Sequence, residues 1–129
     1  MDQHNRVCAQ IDLDAIAYNM EQMKDQIGKE ARLIAVIKTD GYGHGAVPIA
    51  RMFETFSYVW GYAVACIEEA VSLRKEGIKK PILVLGCVFP DQYETMIKNE
   101  IRAAVYTKEM AEGMSDEAVR QGKNAYFHI

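Results

Sequence analysis

Short apolar runs of strand length alternate with helically spaced stretches along almost the whole chain. The predicted strands are Arg32–Ile37, Tyr58–Ala65, Pro81–Leu85, Ile101–Tyr106 and Asn124–Ile129. Regular alternation of this kind predicts βαβ units, in which right-handed crossovers build a parallel sheet. Two α/β architectures satisfy this pattern, an open doubly wound sheet and the closed (β/α)8 barrel. No linker, internal repeat or low-complexity segment divides the chain.

Helices are predicted where apolar residues recur at three- and four-residue spacing. They cover Leu13–Ile27, Ala46–Phe56, Ile67–Glu76, a stretch after Asp91 and a stretch between Thr107 and Gly122. The expected capping side chains are Asp12 or Asp14 for the first helix, Asp91 with Glu94 for the fourth, and Thr107 for the fifth. A short additional strand is predicted at Val7–Ile11.

The composition disfavours several classes of protein. The chain has 129 residues, a net charge of −3 and no lysine- or arginine-rich run, so no nucleic-acid or anionic-membrane surface is indicated. Its apolar runs fall far short of the ~20 residues that span a bilayer, and the N-terminal residues do not resemble a signal peptide. Three widely spaced cysteines and the scattered His4, His44 and His128 disfavour disulfides and metal sites. We therefore expect a cytoplasmic protein with reduced cysteines.

One stretch, Ala35–Ala50, reads AVIKTDGYGHGAVPIA and carries three closely spaced glycines behind a lysine. Gly41, Gly43 and Ala46 fit the G-x-G-x-x-A pattern of dinucleotide-binding loops. Three residues, however, separate the strand from the first glycine, where that pattern requires a tight turn at once. The acidic residue expected at the end of the second strand is also missing, since the acids come later, on the next helix. The nucleotide-binding hypothesis is therefore weakened, and the glycines can simply permit a turn with positive φ.

Lys38 ends the first predicted strand, and in a barrel that end lies on the catalytic face. Neighbouring apolar residues would partly desolvate its amine, which lowers the pKa of a lysine and favours the neutral, nucleophilic form. A neutral amine can form a Schiff base with an aldehyde. The alternative from the sequence alone is an ordinary surface lysine at the point where a strand enters a loop.

The same stretch resembles the pyridoxal-phosphate attachment motif of bacterial alanine racemases. The matching residues are Val36, Lys38, Asp40, Tyr42, Gly43, His44 and Gly45. Thr39 and Gly41 depart from it, since the family usually has alanine at both positions. The resemblance extends along the chain through AQIDLDAIAYNM, GYAVACIEEAVSLRKEGIKKPILVLG and AYFHI. It implies an α/β fold, a partial (β/α)8 barrel of about five parallel strands with flanking helices.

The resemblance also implies roles for individual residues. Lys38 would bind pyridoxal 5'-phosphate covalently through a Schiff base and would serve as one of two bases that exchange the Cα proton. Tyr42 would donate a hydrogen bond to the cofactor phosphate, and His44 would organise the loop. The family's second base is a tyrosine from the partner subunit, and two further arginines of the family site have no match here. Arg102 lies too early in its strand to replace either of them.

The implied activity is interconversion of L-alanine and D-alanine, which supplies D-alanine to peptidoglycan, by a cytoplasmic homodimer. Eight βα units take at least ~200 residues, so residues 1–129 are expected to be the N-terminal part of the barrel domain. The second half of the barrel and the C-terminal β-domain would be absent, and such a fragment would be inactive. Two alternatives remain, a serine racemase of the same family and a non-catalytic half-barrel that binds the cofactor or self-associates.

Overall fold

The computed structural model describes residues 7–129, and His4 lies outside the described residues. One parallel sheet has the order β1-β2-β3-β4-β5. Its strands are β1 (Leu33–Val36), β2 (Val59–Val64), β3 (Ile82–Val84), β4 (Ile101–Ala104) and β5 (Phe127–His128). The helices are α1 (Leu13–Gln26), α2 (Lys38–Tyr42), α3 (Ala46–Phe53), α4 (Ile67–Lys75), α5 (Tyr93–Lys98) and α6 (Lys108–Gln121). None of the helices in this part of the chain is long and apolar enough to cross a membrane.

The strand order decides between the two architectures. A doubly wound sheet reverses direction at a switch point, so that its strand order is not the sequence order. Here each strand pairs with the next one along the chain, and repeated right-handed crossovers then place every helix that connects two strands on the same side of the sheet. The predicted partial barrel, with five parallel strands and flanking helices, is confirmed.

The two faces of the sheet differ in burial, as the period of two along a strand requires. One face packs against the helices and is buried, and the fully buried side chains there include Tyr62, Val64, Ile82, Val84 and Ile101. The opposite face is more open: Ile34, Val36 and Leu85 are each about 40 % exposed. This open face corresponds to the interior of a barrel.

A bulge in β2 changes the direction of one aromatic side chain. Leu33 pairs with Val59 and Ile34 pairs with Gly61, so Trp60 is the extra residue. The Trp60 ring lies 4.9 Å from the guanidinium of Arg102, which also lies 4.7 Å from the Tyr126 ring. Arg102 is thus held between two aromatic rings by cation–π contacts.

Two predicted local features are wrong. Val7–Ile11 forms no strand; Val7 is 89 % exposed, and these residues have no strand neighbour within the described part of the chain. The crossover between β3 and β4 does not begin with a cap at Asp91. It enters through a 3₁₀ turn, Pro90–Gln92, and the Gln92 side chain accepts the Phe89 amide at 3.0 Å. Pro90 holds Phe89 extended and starts the turn one residue before Asp91.

The other predicted caps are confirmed. Asp12 accepts the Ala15 amide at 3.0 Å at the start of α1, and Thr107 accepts the Met110 amide at 3.2 Å at the start of α6. Gly122 ends α6 in the left-handed conformation. The capping signals of these two helices were therefore sufficient to locate their first turns.

Two cations stabilise the amino edge of the sheet, where the loops enter the strands. The guanidinium of Arg74 donates to the carbonyls of Ile78, Lys80, Asn99 and Glu100 at 2.8 to 3.2 Å. The Lys80 ammonium donates to the carbonyls of Phe53, Phe56 and Val59 at 2.5 to 2.8 Å. This edge of a barrel contributes stability, whereas the carboxyl edge holds the active site.

Tyr62 should make the fold sensitive to alkaline pH. Burial, and then the neighbouring Glu54 carboxylate, raise the pKa of Tyr62 far above its ordinary 10.0. Because the unfolded tyrosine releases its proton first, this contribution to stability is present below pH 10.0 and declines as the pH rises above it. We expect Tyr62→Phe to flatten the fall in unfolding free energy between about pH 9 and 11.

The measurement is urea denaturation at a series of pH values. The variant should also lose about 1 kcal/mol near neutral pH, since the Tyr62 hydroxyl lies 2.8 Å from the Ala50 carbonyl. Tyr18→Phe is the control, because Tyr18 is 61 % exposed. An unchanged alkaline slope in Tyr62→Phe would contradict the prediction.

Candidate active site

Lys38 lies where the sheet ends at its carboxyl edge. β1 finishes at Val36, and the amide of Ile37 still donates to the carbonyl of Ala63 at 2.9 Å, so β1 and β2 remain paired up to the residue before the lysine. Lys38 itself is half-buried. The rigid ladder behind it fixes the point from which its side chain leaves the sheet.

The turn that follows, α2, is mostly left-handed. Thr39, Asp40, Gly41 and Tyr42 have φ angles of 55°, 51°, 62° and 58°. For residues other than glycine this conformation costs about 1–2 kcal/mol each. Three strained side chains within four consecutive residues persist only where the surroundings hold them, which is common at functional sites.

The three glycines have the positive φ angles that the sequence predicted. Gly41, Gly43 and Gly45 have φ of 62°, 86° and 92°. At Gly41 an added Cβ would also lie 3.1 Å from the Ile49 side chain and 3.3 Å from the Ala46 amide nitrogen. The glycines therefore shape the turn, as the sequence indicated, and the close approach of α3 reinforces the choice at Gly41.

Hydrogen bonds within the loop close it. The Asp40 carboxylate accepts the Ala46 amide at 2.8 Å, while the Asp40 carbonyl accepts the amides of Gly43 and Gly45. The His44 imidazole Nδ1 lies 3.1 Å from the Gly41 carbonyl, which agrees with the predicted loop-organising role. Because Asp40 already caps the amino end of α3, the position that a dinucleotide pyrophosphate would take is filled by a carboxylate.

A second carboxylate, which the sequence did not single out, reaches the turn from α4. Glu69 accepts the Thr39 amide at 2.6 Å and the Ala65 amide at 2.8 Å. In the sequence, Glu69 is one of the acidic residues on the helix after the second strand, beyond the position at which a dinucleotide-binding protein has its ribose-binding acid. Its one local signal was its place in the first turn of a helix, which many surface acids share.

Lys38 and Tyr42 are the groups in this loop that are available to a ligand. Tyr42 is 60 % exposed. In the part of the chain that the structure describes, neither the Lys38 amine nor the Tyr42 hydroxyl takes part in a hydrogen bond or ion pair. A primary amine and a phenol hydroxyl on one short turn suit a ligand that carries an aldehyde and an anionic group. The two residues therefore fit pyridoxal phosphate.

Other side chains at this edge make local contacts. The Tyr106 hydroxyl, after β4, donates to the Leu85 carbonyl at 2.8 Å. Burial raises the pKa of the Cys66 thiol, after β2, so the neutral thiol is favoured. Arg102 lies near the start of β4 and stacks between aromatic rings, so its guanidinium is engaged away from the lysine turn.

Comparison with known proteins gives a consistent result. The model of the family "Alanine racemase, N-terminal domain" matches residues 11–129. The alanine racemase of Symbiobacterium thermophilum is 41 % identical over 121 residues, which cover 94 % of this chain and 32 % of that protein. An alanine racemase of Clostridium perfringens is 44 % identical over 124 residues, covering 95 % of this chain and 31 % of that protein. The chain spans about a third of the length of the curated relatives it matches.

Solved structures agree with these relatives. An alanine racemase of Clostridium difficile 630 superposes with a TM-score of 0.89 and 37 % identity, covering 92 % of this chain and 32 % of that chain. A histidine racemase from Leuconostoc mesenteroides superposes with a TM-score of 0.77 and 25 % identity, covering 89 % of this chain and 30 % of that chain.

Proposed function

Because this chain belongs to the family of alanine racemase N-terminal domains, we propose that the complete protein is an isomerase that interconverts L-alanine and D-alanine with pyridoxal 5'-phosphate. The observation that carries this proposal is a lysine at the start of a strained turn, at the carboxyl edge of a parallel sheet, whose amine has no hydrogen-bond or ion-pair partner among residues 7–129. We propose further that it acts as a cytoplasmic homodimer and supplies D-alanine to peptidoglycan.

In this proposal residues 1–129 supply the first five strands of a (β/α)8 barrel domain, and the remaining strands come from other parts of the complete protein. The strand order and the open interior face, with Ile34, Val36 and Leu85 partly exposed, support it. Eight strands would cover that face and remove both edges of the present sheet.

Lys38 is the proposed catalytic residue. Its Nζ would hold the cofactor covalently and would move the proton at the substrate Cα on one face. The cofactor, when bound, supplies the electron sink that makes this proton acidic. In this proposal the chain positions Lys38. The end of β1 fixes the backbone just before the lysine, and the left-handed turn after it prevents the backbone from continuing along the strand direction.

Tyr42 is the proposed phosphate contact. Its hydroxyl is solvent-accessible and has no acceptor among the described residues, so it can donate to a phosphate oxygen without breaking an existing bond. A hydrogen bond to a charged group is worth about 1.5–3 kcal/mol. Tyr42 would therefore contribute to retention of the cofactor more than to the proton transfer.

The direct test is a racemisation assay on the complete protein with L-alanine, L-serine and L-histidine in parallel. We expect alanine to be turned over with the highest kcat/KM. Preference for serine or histidine would replace the substrate in this proposal. Cofactor attachment at Lys38 without turnover of any of the three would instead support a non-catalytic role in cofactor binding.

Tyr42→Phe should weaken cofactor binding without unfolding the protein. We expect the apparent Kd for pyridoxal phosphate to rise about tenfold, which corresponds to one lost hydrogen bond to a charged oxygen. The measurement is titration of the apoprotein with cofactor, followed by its absorbance. Tyr18→Phe, on the exposed side of α1, is the matched control, and equal affinity in the two variants would remove Tyr42 from the site.

A further inference from the structure

The carboxylate of Glu69 joins the carboxyl ends of two strands at the lysine. One oxygen accepts the amide of Thr39, the residue directly after Lys38, at 2.6 Å. The other oxygen accepts the amide of Ala65, the residue directly after β2, at 2.8 Å. Both carboxylate oxygens of this half-buried side chain are therefore used, and one end of the bridge lies on the residue next to the proposed catalytic lysine.

Thr39 is the residue of the turn that most needs such support. It has a β-branched side chain and a φ of 55°, in a region that β-branched residues rarely occupy. Charge-assisted hydrogen bonds are the strong ones, and 2.6 Å is short for an amide donor. The Glu69 bond therefore offsets part of the strain at the position where the chain leaves β1.

Although Gly41 packs closely against α3, the packing behind the turn is incomplete on the side of Glu69. A cavity of about 260 Å³ lies between the turn and the helices α3 and α4, with Ile37, Asp40 and Glu69 in its wall. A turn that borders a cavity can relax into it when its hydrogen bonds are lost. The hydrogen bonds of Glu69, together with those of Asp40, consequently fix its conformation.

A general role of Glu69 as a helix-capping acid can be separated from this bridge. Glu68 and Glu69 both lie in the first turn of α4, where a negative charge interacts favourably with the helix dipole. Only Glu69 bonds to the lysine turn; Glu68 is exposed, and its described contacts do not include that turn. The two neighbours thus form a natural pair for comparison.

We propose that Glu69 is a positioning residue, whose carboxylate holds the left-handed turn and thereby sets the direction in which Lys38 leaves β1. This inference rests on the proposed function for its consequence, because positioning matters only if Lys38 attaches a cofactor. The bridge itself is a property of the chain and can be tested without any cofactor.

The experiment compares Glu69→Gln with Glu68→Gln in the complete protein. A glutamine is nearly isosteric but offers one acceptor oxygen where two amides donate, so one bond is lost. We expect Glu69→Gln to slow covalent attachment of pyridoxal phosphate, trapped by borohydride reduction, about tenfold. Hydrogen exchange of the segment 38–45 should become faster by a similar factor, and Glu68→Gln should change neither value.

A second substitution tests whether relief of strain restores the turn. Glycine adopts the left-handed conformation without penalty, so Thr39→Gly in the Glu69→Gln background should recover most of the lost attachment rate and protection. A role confined to α4 would show no such rescue. If Glu69→Gln proves unfolded, the same double variant should fold; a double variant as impaired as the single one overturns the proposal.

Measuring both cofactor attachment and hydrogen exchange also distinguishes failure of the proposed function from failure of the positioning role. Unmodified protein that does not attach the cofactor would contradict the proposed function, while hydrogen exchange would still report on the bridge. Normal attachment with identical exchange in Glu69→Gln and Glu68→Gln would overturn the positioning role and leave the proposed function intact.

Discussion

Lys38→Ala is expected to abolish racemisation by the complete protein, with kcat lowered at least ~10³-fold. The variant removes the proposed nucleophile, which would hold the cofactor and would also act as a base at the Cα proton; a positioned base alone contributes about 10²–10⁴-fold. Stability should hardly change, because the Lys38 amine has no hydrogen-bond or ion-pair partner in the described part of the chain. The measurements are racemisation rate and borohydride-trapped cofactor.

Lys75→Ala is the matched control for this variant. Lys75 is an exposed lysine in the last turn of α4, so its removal changes the net charge equally without touching the carboxyl edge of the sheet. Loss of activity in Lys38→Ala alone, with both variants equally stable in urea, is the expected pattern. A Lys38→Ala protein that racemises alanine at the unmodified rate would exclude the proposed role of this lysine.

The fold was readable from the sequence to the extent that it depends on local pattern. The periodicity of apolar residues located the five strands, and Asp12, Thr107 and Gly122 located helix ends through bonds to neighbours three or four residues away. The pattern could not choose between barrel and doubly wound sheet by itself. That choice depends on which strands become neighbours, and it rested on the resemblance until the strand order was seen.

The candidate site, like the fold, could be predicted from the sequence only where it depends on neighbouring residues. Lys38 and the glycines drew attention because of their spacing after a predicted strand, but the cofactor-binding role of Lys38 rested on the family resemblance. Glu69 could not, since its bond to Thr39 spans thirty residues and leaves no mark on the intervening sequence. The left-handed turn was only half predictable: glycine indicates positive φ, but Thr39, Asp40 and Tyr42 adopt it against their own preference. The wrong prediction of a cap at Asp91 has a local cause, because Pro90 starts a 3₁₀ turn one residue earlier.

Arg74→Ala is expected to give a large loss of stability. Its guanidinium donates hydrogen bonds to four carbonyls, two in the loop before β3 and two in the loop before β4. Burial lowers the pKa of Arg74, because the folded structure removes part of its charge from water. Two of the four carbonyls belong to Asn99 and Glu100, and Glu100 has a φ of 53°, so the bonds also support a strained helix end.

The expected loss is about 3 kcal/mol of unfolding free energy, less than four separate bonds would give, because water can reach the exposed carbonyl of Glu100 in the variant. For a domain of this size that lowers Tm by roughly 10 °C or more. Arg74→Lys should recover only part of this lost stability, since a single ammonium cannot span both loops as the planar guanidinium does.

Arg51→Ala is the control, because its bond with Glu76 is an exposed ion pair worth at most about 1 kcal/mol. Equal losses from Arg74→Ala and Arg51→Ala would mean that the amino edge is stabilised by strand packing alone. The expected difference would instead show that the half-buried cation of Arg74 stabilises the edge where the strands begin. The opposite edge, where Lys38 leaves β1, carries three strained side chains in one turn.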